Sequence, residues 1–250
     1  MSPSPLAVVT GPTAGIGRQF ATTLASRGFD LCLISRDQAR LDELAAELIR
    51  DYAVTVEVLA LDLSEASDRD KAVEYVHTHR VDLLVNNAGF GLKTSFWTTP
   101  IADEKRLLDV MVTAVMELTH AVLPAMRERG SGTVINVSSI ASWITSGTYA
   151  AAKAWVTVFS ESLNTQLAGS GVVVTALCPG YVRTEFHDRA SMNMSSVPGW
   201  MWLSTQQVVD QALTDAKNGK AISVPGMQYK ALGVFVRSSP RWLIRRMSPR

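Results

Sequence analysis

The chain has 250 residues, of which 47% are hydrophobic and 19% charged, and its net charge is +1. That balance allows a large core, excludes a disordered chain and gives no general attraction to nucleic acid, so no nucleic-acid partner is expected. Two cysteines, Cys32 and Cys178, are too few for a disulfide framework; both lie in apolar runs and read as small core residues of a reducing compartment.

Met1-Ser-Pro-Ser-Pro leads straight into Leu6–Thr10, without the basic segment and apolar run of a signal peptide. No uncharged apolar stretch reaches the roughly twenty residues of a membrane span. A cytoplasmic protein is expected. Leu6–Thr10 reads as a buried strand. Residues 16–27 form a helix that Gly28 stops. Asp30–Ser35 is a second strand. Residues 38–51 repeat Leu41, Leu44, Ala45 and Leu48 on one helical face. Residues 54–61 form a third strand, 65–79 a polar helix, and Val81–Asn86 a fourth strand. A long helix follows over 101–129, then a strand over 133–138, a helix over 149–168 and a strand over 172–178. A helix over 206–217 and a short strand over 221–224 complete the alternation.

Strands apolar on both faces, alternating with helices, imply a mainly parallel sheet of about seven strands covered on both sides. The expectation is a single doubly wound, Rossmann-type α/β domain over residues 1–228. A basic, apolar tail over 229–250 would pack on that domain or lie peripheral to it.

Behind the first strand stands Thr10-Gly-Pro-Thr-Ala-Gly-Ile-Gly-Arg18. Glycines let a backbone turn sharply and approach a pyrophosphate, and the following helix offers its N-terminus to the anion. Further short motifs follow in order at strand ends: Asp62-Leu63, Asn86-Asn87-Ala88-Gly89, Ser138-Ser139, Tyr149-Ala-Ala-Ala-Lys153, and Pro179-Gly180 with Thr184 beyond. Together they resemble the short-chain dehydrogenase/reductase family along almost the whole chain. The resemblance implies cofactor contacts from Gly11, Thr13, Gly15, Ile16, Gly17, Asp62, Leu63, Asn87, Ala88, Gly89, Tyr149, Lys153, Pro179, Gly180, Val182 and Thr184. It also implies a homodimer or homotetramer.

Tyr149 and Lys153 are four residues apart on a helix and share a face. A nearby ammonium is expected to lower the tyrosine pKa and make it a proton donor and acceptor. By resemblance, Lys153 also holds the nicotinamide ribose, and Ser139, rather than Ser138, donates to the substrate oxygen. Many relatives carry an asparagine in the long helix, where this chain has Met111; a thioether accepts only weakly, so the water-holding role of that asparagine is not carried over.

The end of the second strand reads Ile34-Ser35-Arg36-Asp37. An arginine there suits the 2′-phosphate of NADP(H), whereas an acidic residue would suit NAD. The expected activity is hydride transfer between NADP(H) and an apolar secondary alcohol or ketone. The rival reading is a nucleotide-binding regulatory protein that kept the fold and lost turnover. His77 and His79 read as a solvated pair, and no metal site is expected. His187 could line the substrate site. Residues 185–203, with Met192, Met194, Trp200, Met201 and Trp202, form either an apolar substrate lid or ordinary packing. Trp97 and Trp143 favour a bulky apolar pocket.

The tail carries Lys230, Arg237, Arg241, Arg245, Arg246 and Arg250 and no acidic residue, which leaves 18 basic against 23 acidic residues in the remainder. Pro240 divides it and can start a helix at Arg241. Either its apolar side folds back on the protein, or Trp242, Leu243, Ile244 and Met247 enter a membrane surface.

Overall fold

The computed structural model describes residues 4–186 and 197–247. Seven strands form one parallel sheet in the order β3-β2-β1-β4-β5-β6-β7. They are β1 (Leu6–Thr10), β2 (Asp30–Ser35), β3 (Val56–Ala60), β4 (Val81–Asn86), β5 (Gly132–Val137), β6 (Val172–Leu177) and β7 (Ile222–Ser223). The helices are α1 (Gly15–Ser26), α2 (Gln38–Tyr52), α3 (Ala66–Thr78), α4 (Ile101–Leu108), α5 (Ala114–Glu128), α6 (Gly147–Gln166), α7 (Thr205–Lys217), α8 (Met227–Ser238) and α9 (Arg241–Met247).

The period-2 alternation of the strands divides the core into two layers. Ala7, Val9, Leu31 and Leu33 face Phe20, Leu24, Leu41, Leu48, Val208 and Tyr229 on one side of the sheet. Val8, Cys32, Ile34 and Leu84 face Tyr75, Val76, Leu107, Met111, Leu118 and Val122 on the other. Cys32 and Cys178 are buried and free.

Local chemistry sets the helix starts. Asp37 caps α2 by accepting from the Arg40 amide at 3.1 Å. Ser204 and Gln207 form a reciprocal capping box on α7. Between α4 and α5 the helix widens into a π-turn over Asp109–Thr113, which contains Met111. Together these segments make a 28-residue helix, long and apolar enough to cross a membrane by length and composition. Asp109 and Glu117 break its apolar run, so it holds no uncharged stretch of about twenty residues. Its buried side chains Leu107, Met111, Leu118 and Val122 belong to the core.

The strand order reverses between β1 and β4, so their carboxyl ends diverge into a crevice where ligands of such sheets bind. A buried polar chain braces the neighbouring strands: Asn86 donates to Asn136 at 2.8 Å and to Thr119 at 3.1 Å, and Asn136 donates to Ser160 of α6 at 3.0 Å.

Candidate active site

The glycine turn leaves β1 at the crevice. Gly11 and Gly15 adopt left-handed φ angles of 65° and 54°, which glycine tolerates without a Cβ clash. A Cβ on Gly17 would overlap the Gly11 carbonyl, so α1 can approach the strand only with glycine there. No side chain caps the start of α1, where Ala14 holds the cap position. First-turn amides without a side-chain cap suit an anion. Ile16 packs partly into the core behind the turn.

Two residues brace this turn. The Asn87 amide donates to the carbonyls of Thr10 at 3.0 Å and Gly11 at 2.9 Å. The Thr10 hydroxyl accepts from the backbone amides of Asn87 and Ala88 at 2.9 and 3.0 Å. Arg40, which sequence reasoning did not single out, donates to the Thr13 carbonyl at 3.0 Å and stands 3.9 Å from Glu185. Its use depends on a loop far away in sequence, so no local signal marks it.

Beyond β2, the exposed Arg36 guanidinium lies 3.6 Å from Asp62, and Arg106 approaches the same carboxylate at 3.9 Å. Burial pushes the Asp62 carboxyl up, but hydrogen bonds from Ser64 and the two guanidinium groups outweigh it and hold it below its ordinary value. Asp37 is engaged as the cap of α2, which leaves Arg36 as the charged group turned outward at this strand end. Leu63 is buried in the core below.

At the ends of β5 and β6 the two serines separate. The Ser138 hydroxyl is buried, donates to the Lys153 carbonyl at 2.7 Å and pairs with Thr157. Ser139 faces the other way: its hydroxyl accepts from the Ala141 amide at 3.1 Å and favours the ionised form of the nearby Tyr149 phenol. Lys153 is buried and donates to the Val137 carbonyl at 2.6 Å, with its ammonium 5.7 Å from the Tyr149 ring centroid. A Cβ on Gly89 would lie 3.7 Å from the Lys153 nitrogen and 3.5 Å from Met111 Cγ, so the lysine and the methionine both border the space that glycine leaves open there.

The expected lowering of the Tyr149 pKa is overturned. Burial pushes the phenol up to about 12, against a smaller opposing effect of the Ser139 hydrogen bond. Burial likewise brings Lys153 down to about 8. The ammonium is turned toward Val137, too far from the phenol to offset desolvation. Tyr149 is therefore held as a neutral phenol, which can give a proton.

The loop after β6 closes the site from the far side. The Pro179 carbonyl accepts from the Ile140 amide at 3.1 Å. Gly180 lies flat against the Tyr229 ring, and the Tyr229 hydroxyl donates to the Met201 carbonyl at 2.6 Å and accepts from the Tyr181 amide at 3.0 Å. Val182 bridges to Leu203. Thr184 reaches the glycine turn: a Cβ on Gly15 would stand 3.0 Å from its methyl. Phe186 packs 5.7 Å from Tyr149, ring to ring. Trp97 is 84% exposed and Trp200 is 67% exposed, while Trp202 packs 5.9 Å from Tyr181. His187, Met192 and Met194 lie outside the described residues. Among those described, no cluster of metal-binding side chains occurs, and His79 stacks on Tyr75 at 4.0 Å.

Known proteins share this arrangement. The family model "short chain dehydrogenase" matches residues 5–195. A very-long-chain 3-oxoacyl-CoA reductase of Anas platyrhynchos is 34% identical over 72% of the chain, which spans 60% of that relative's length. A sulfoacetaldehyde reductase of Chromohalobacter salexigens is 40% identical over 71% of the chain and 72% of its own. A short-chain dehydrogenase from Sphingobium yanoikuyae, solved in complex with NADPH, superposes with a TM-score of 0.87 at 30% identity over 98% of both chains. Sheet order, glycine turn and matching sequences agree, and the chain belongs to the short-chain dehydrogenase/reductase family of oxidoreductases.

Proposed function

We propose that this protein is an NADP(H)-dependent carbonyl reductase acting on apolar ketones, with Tyr149 as the proton donor. The observation that carries this reading is the convergence of Ser139, Tyr149 and the buried Lys153 at the end of β5 and the start of α6, where burial favours the protonated phenol. The glycine turn fits a pyrophosphate, and the outward Arg36 fits a 2′-phosphate. The NADPH held by the Sphingobium protein supports the same cofactor here. When bound, the cofactor supplies the hydride. Tyr149 then gives its proton to the substrate oxygen, Ser139 donates a hydrogen bond to that oxygen, and the Lys153 ammonium, 5.7 Å from the ring centroid, turns from Val137 toward the phenolate left behind.

Phe186 beside Tyr149 and the exposed Trp97 support an apolar substrate, as does the likeness to a reductase of very-long-chain acyl groups. The test is NADPH consumption across a panel of lipophilic ketones. Tyr149→Phe should lower turnover by about 10²–10⁴-fold while NADPH binding persists. Tight NADPH binding by the unaltered protein with no turnover across the panel would favour the regulatory reading.

A further inference from the structure

We propose that α8 and α9 form a docking face for an anionic lipid surface, built from an outward apolar stripe and the basic side chains around it. Helix α8 is apolar on two opposite sides. On the inner side Tyr229 is buried under Gly180, Gly233 leaves room for the Trp143 ring, and Val236 is buried. On the outer side Met227, Val234 and Phe235 are 76%, 72% and 51% exposed. Met227, Ala231 and Val234 fall on one helical stripe that ends at the polar Ser238, with Phe235 beside it, where a helix of this kind normally carries polar groups throughout. Lys230 and Arg237 are seven residues apart and edge that stripe on one side, Arg237 standing 3.6 Å from Glu161 of α6.

Helix α9 extends the same chemistry. Ile244 is buried and fixes the helix to the body, while Trp242 is 59% exposed. Arg245 and Arg246 stand three and four residues beyond Trp242, on its side of the helix, and both are exposed. From Tyr229 to the last residue there is no Asp or Glu. An apolar stripe with aromatic and basic neighbours matches the acyl boundary and anionic headgroups of a bilayer. A two-fold contact between copies through this face would instead bring two surfaces of the same positive sign together.

The face adjoins the candidate active site. Helix α8 packs on Trp143, which lies in the short helix capped by Ser139, and on Gly180 of the loop after β6. These contacts are made by the inner side of α8, so docking of the outer side holds the site one helix diameter, roughly 10 Å, from the lipid boundary. A role of that placement in substrate delivery rests on the apolar-ketone reading above, whereas lipid binding itself does not.

The experiment is co-sedimentation of the full chain with phosphatidylcholine vesicles, with and without phosphatidylserine, at low and high salt. Substitutions on the outer side suit the test better than truncation, because removing Tyr229 would also remove core. Binding to the anionic vesicles at low salt is expected. Val234→Asp/Phe235→Asp should abolish it, and Arg245→Gln/Arg246→Gln should weaken it by about 30-fold. Both variants should retain NADPH binding as a check on folding. Tyr149→Phe should bind vesicles like the unaltered protein, which separates lipid docking from turnover. No binding to anionic vesicles at low salt, equal binding to neutral ones, or unchanged binding by both surface variants would each overturn the proposal. So would a chain that ignores vesicles and turns from oligomer to monomer on Val234→Asp/Phe235→Asp, because a second copy would then cover the face.

Discussion

Gly180 and Tyr229 occupy complementary space: the glycine lies against the face of the ring, and a Cβ at position 180 would overlap the ring carbons. The contact ties the loop after β6 to a helix near the end of the chain. Gly180→Ala should therefore destabilise the protein by about 1–3 kcal/mol through overpacking. Tyr229→Phe keeps the ring but strands the Tyr181 amide and the Met201 carbonyl, and should cost about 1–3 kcal/mol. Denaturant unfolding of the two variants checks both values.

The pH profile follows from the Lys153–Tyr149 pair. Proton donation needs Tyr149 protonated and Lys153 charged. Tyr149 holds its proton up to about 12, whereas Lys153, lowered by burial, gives up its proton near 8. Reductive kcat/KM should therefore be level below pH 8 and fall above it with the loss of one proton. A profile that stays level to pH 10 would show that Lys153 titrates near its ordinary value.

Cofactor choice should rest on Arg36. Its guanidinium is exposed beside Asp62, and Asp37 is engaged as a helix cap. Arg36→Ala should weaken NADPH binding by about tenfold or more, the scale of a hydrogen bond to a charged group, and leave NADH nearly unchanged. Fluorescence titration with both nucleotides measures this; equal losses would remove Arg36 as the determinant.

Met111 sits buried in a π-turn and borders, with the Lys153 ammonium, the space beside Gly89. Met111→Asn introduces a polar group at that place. Reductive kcat should rise with little change in cofactor affinity, while the buried amide lowers thermal stability. A well-folded variant with unchanged or lower kcat would mean that the site works around methionine.

Much of this was legible in the sequence because the strands are short apolar runs bounded by turns. Leu6–Thr10, Asp30–Ser35 and Val81–Asn86 fall where those runs predict. Helix boundaries moved by a residue or two, as fraying ends do. The π-turn at Met111 was invisible, because the apolar spacing runs through it without interruption. Ser138 and Ser139 could be ranked only by likeness, since neighbours on an extended backbone point to opposite sides and sequence does not say which side holds Tyr149. Asp37 could have been read as a cap, because it stands directly before an amphipathic run. Composition placed Tyr229 at the start of a tail, yet its ring is core and its helix begins at Met227. The Tyr149 pKa was misjudged because spacing reports proximity to Lys153 but not the burial that both side chains share.

The contact between Gly15 and Thr184 has a kinetic corollary. It joins segments separated by most of the chain, and the parallel sheet between them contains no hairpin that could form early from local pairing. Non-local pairings of this kind form slowly. A nascent chain that has not yet docked β6 carries the glycine turn but lacks its opposite wall. Nucleotide capture during refolding should accordingly lag behind the recovery of helical signal and mark the last step of assembly.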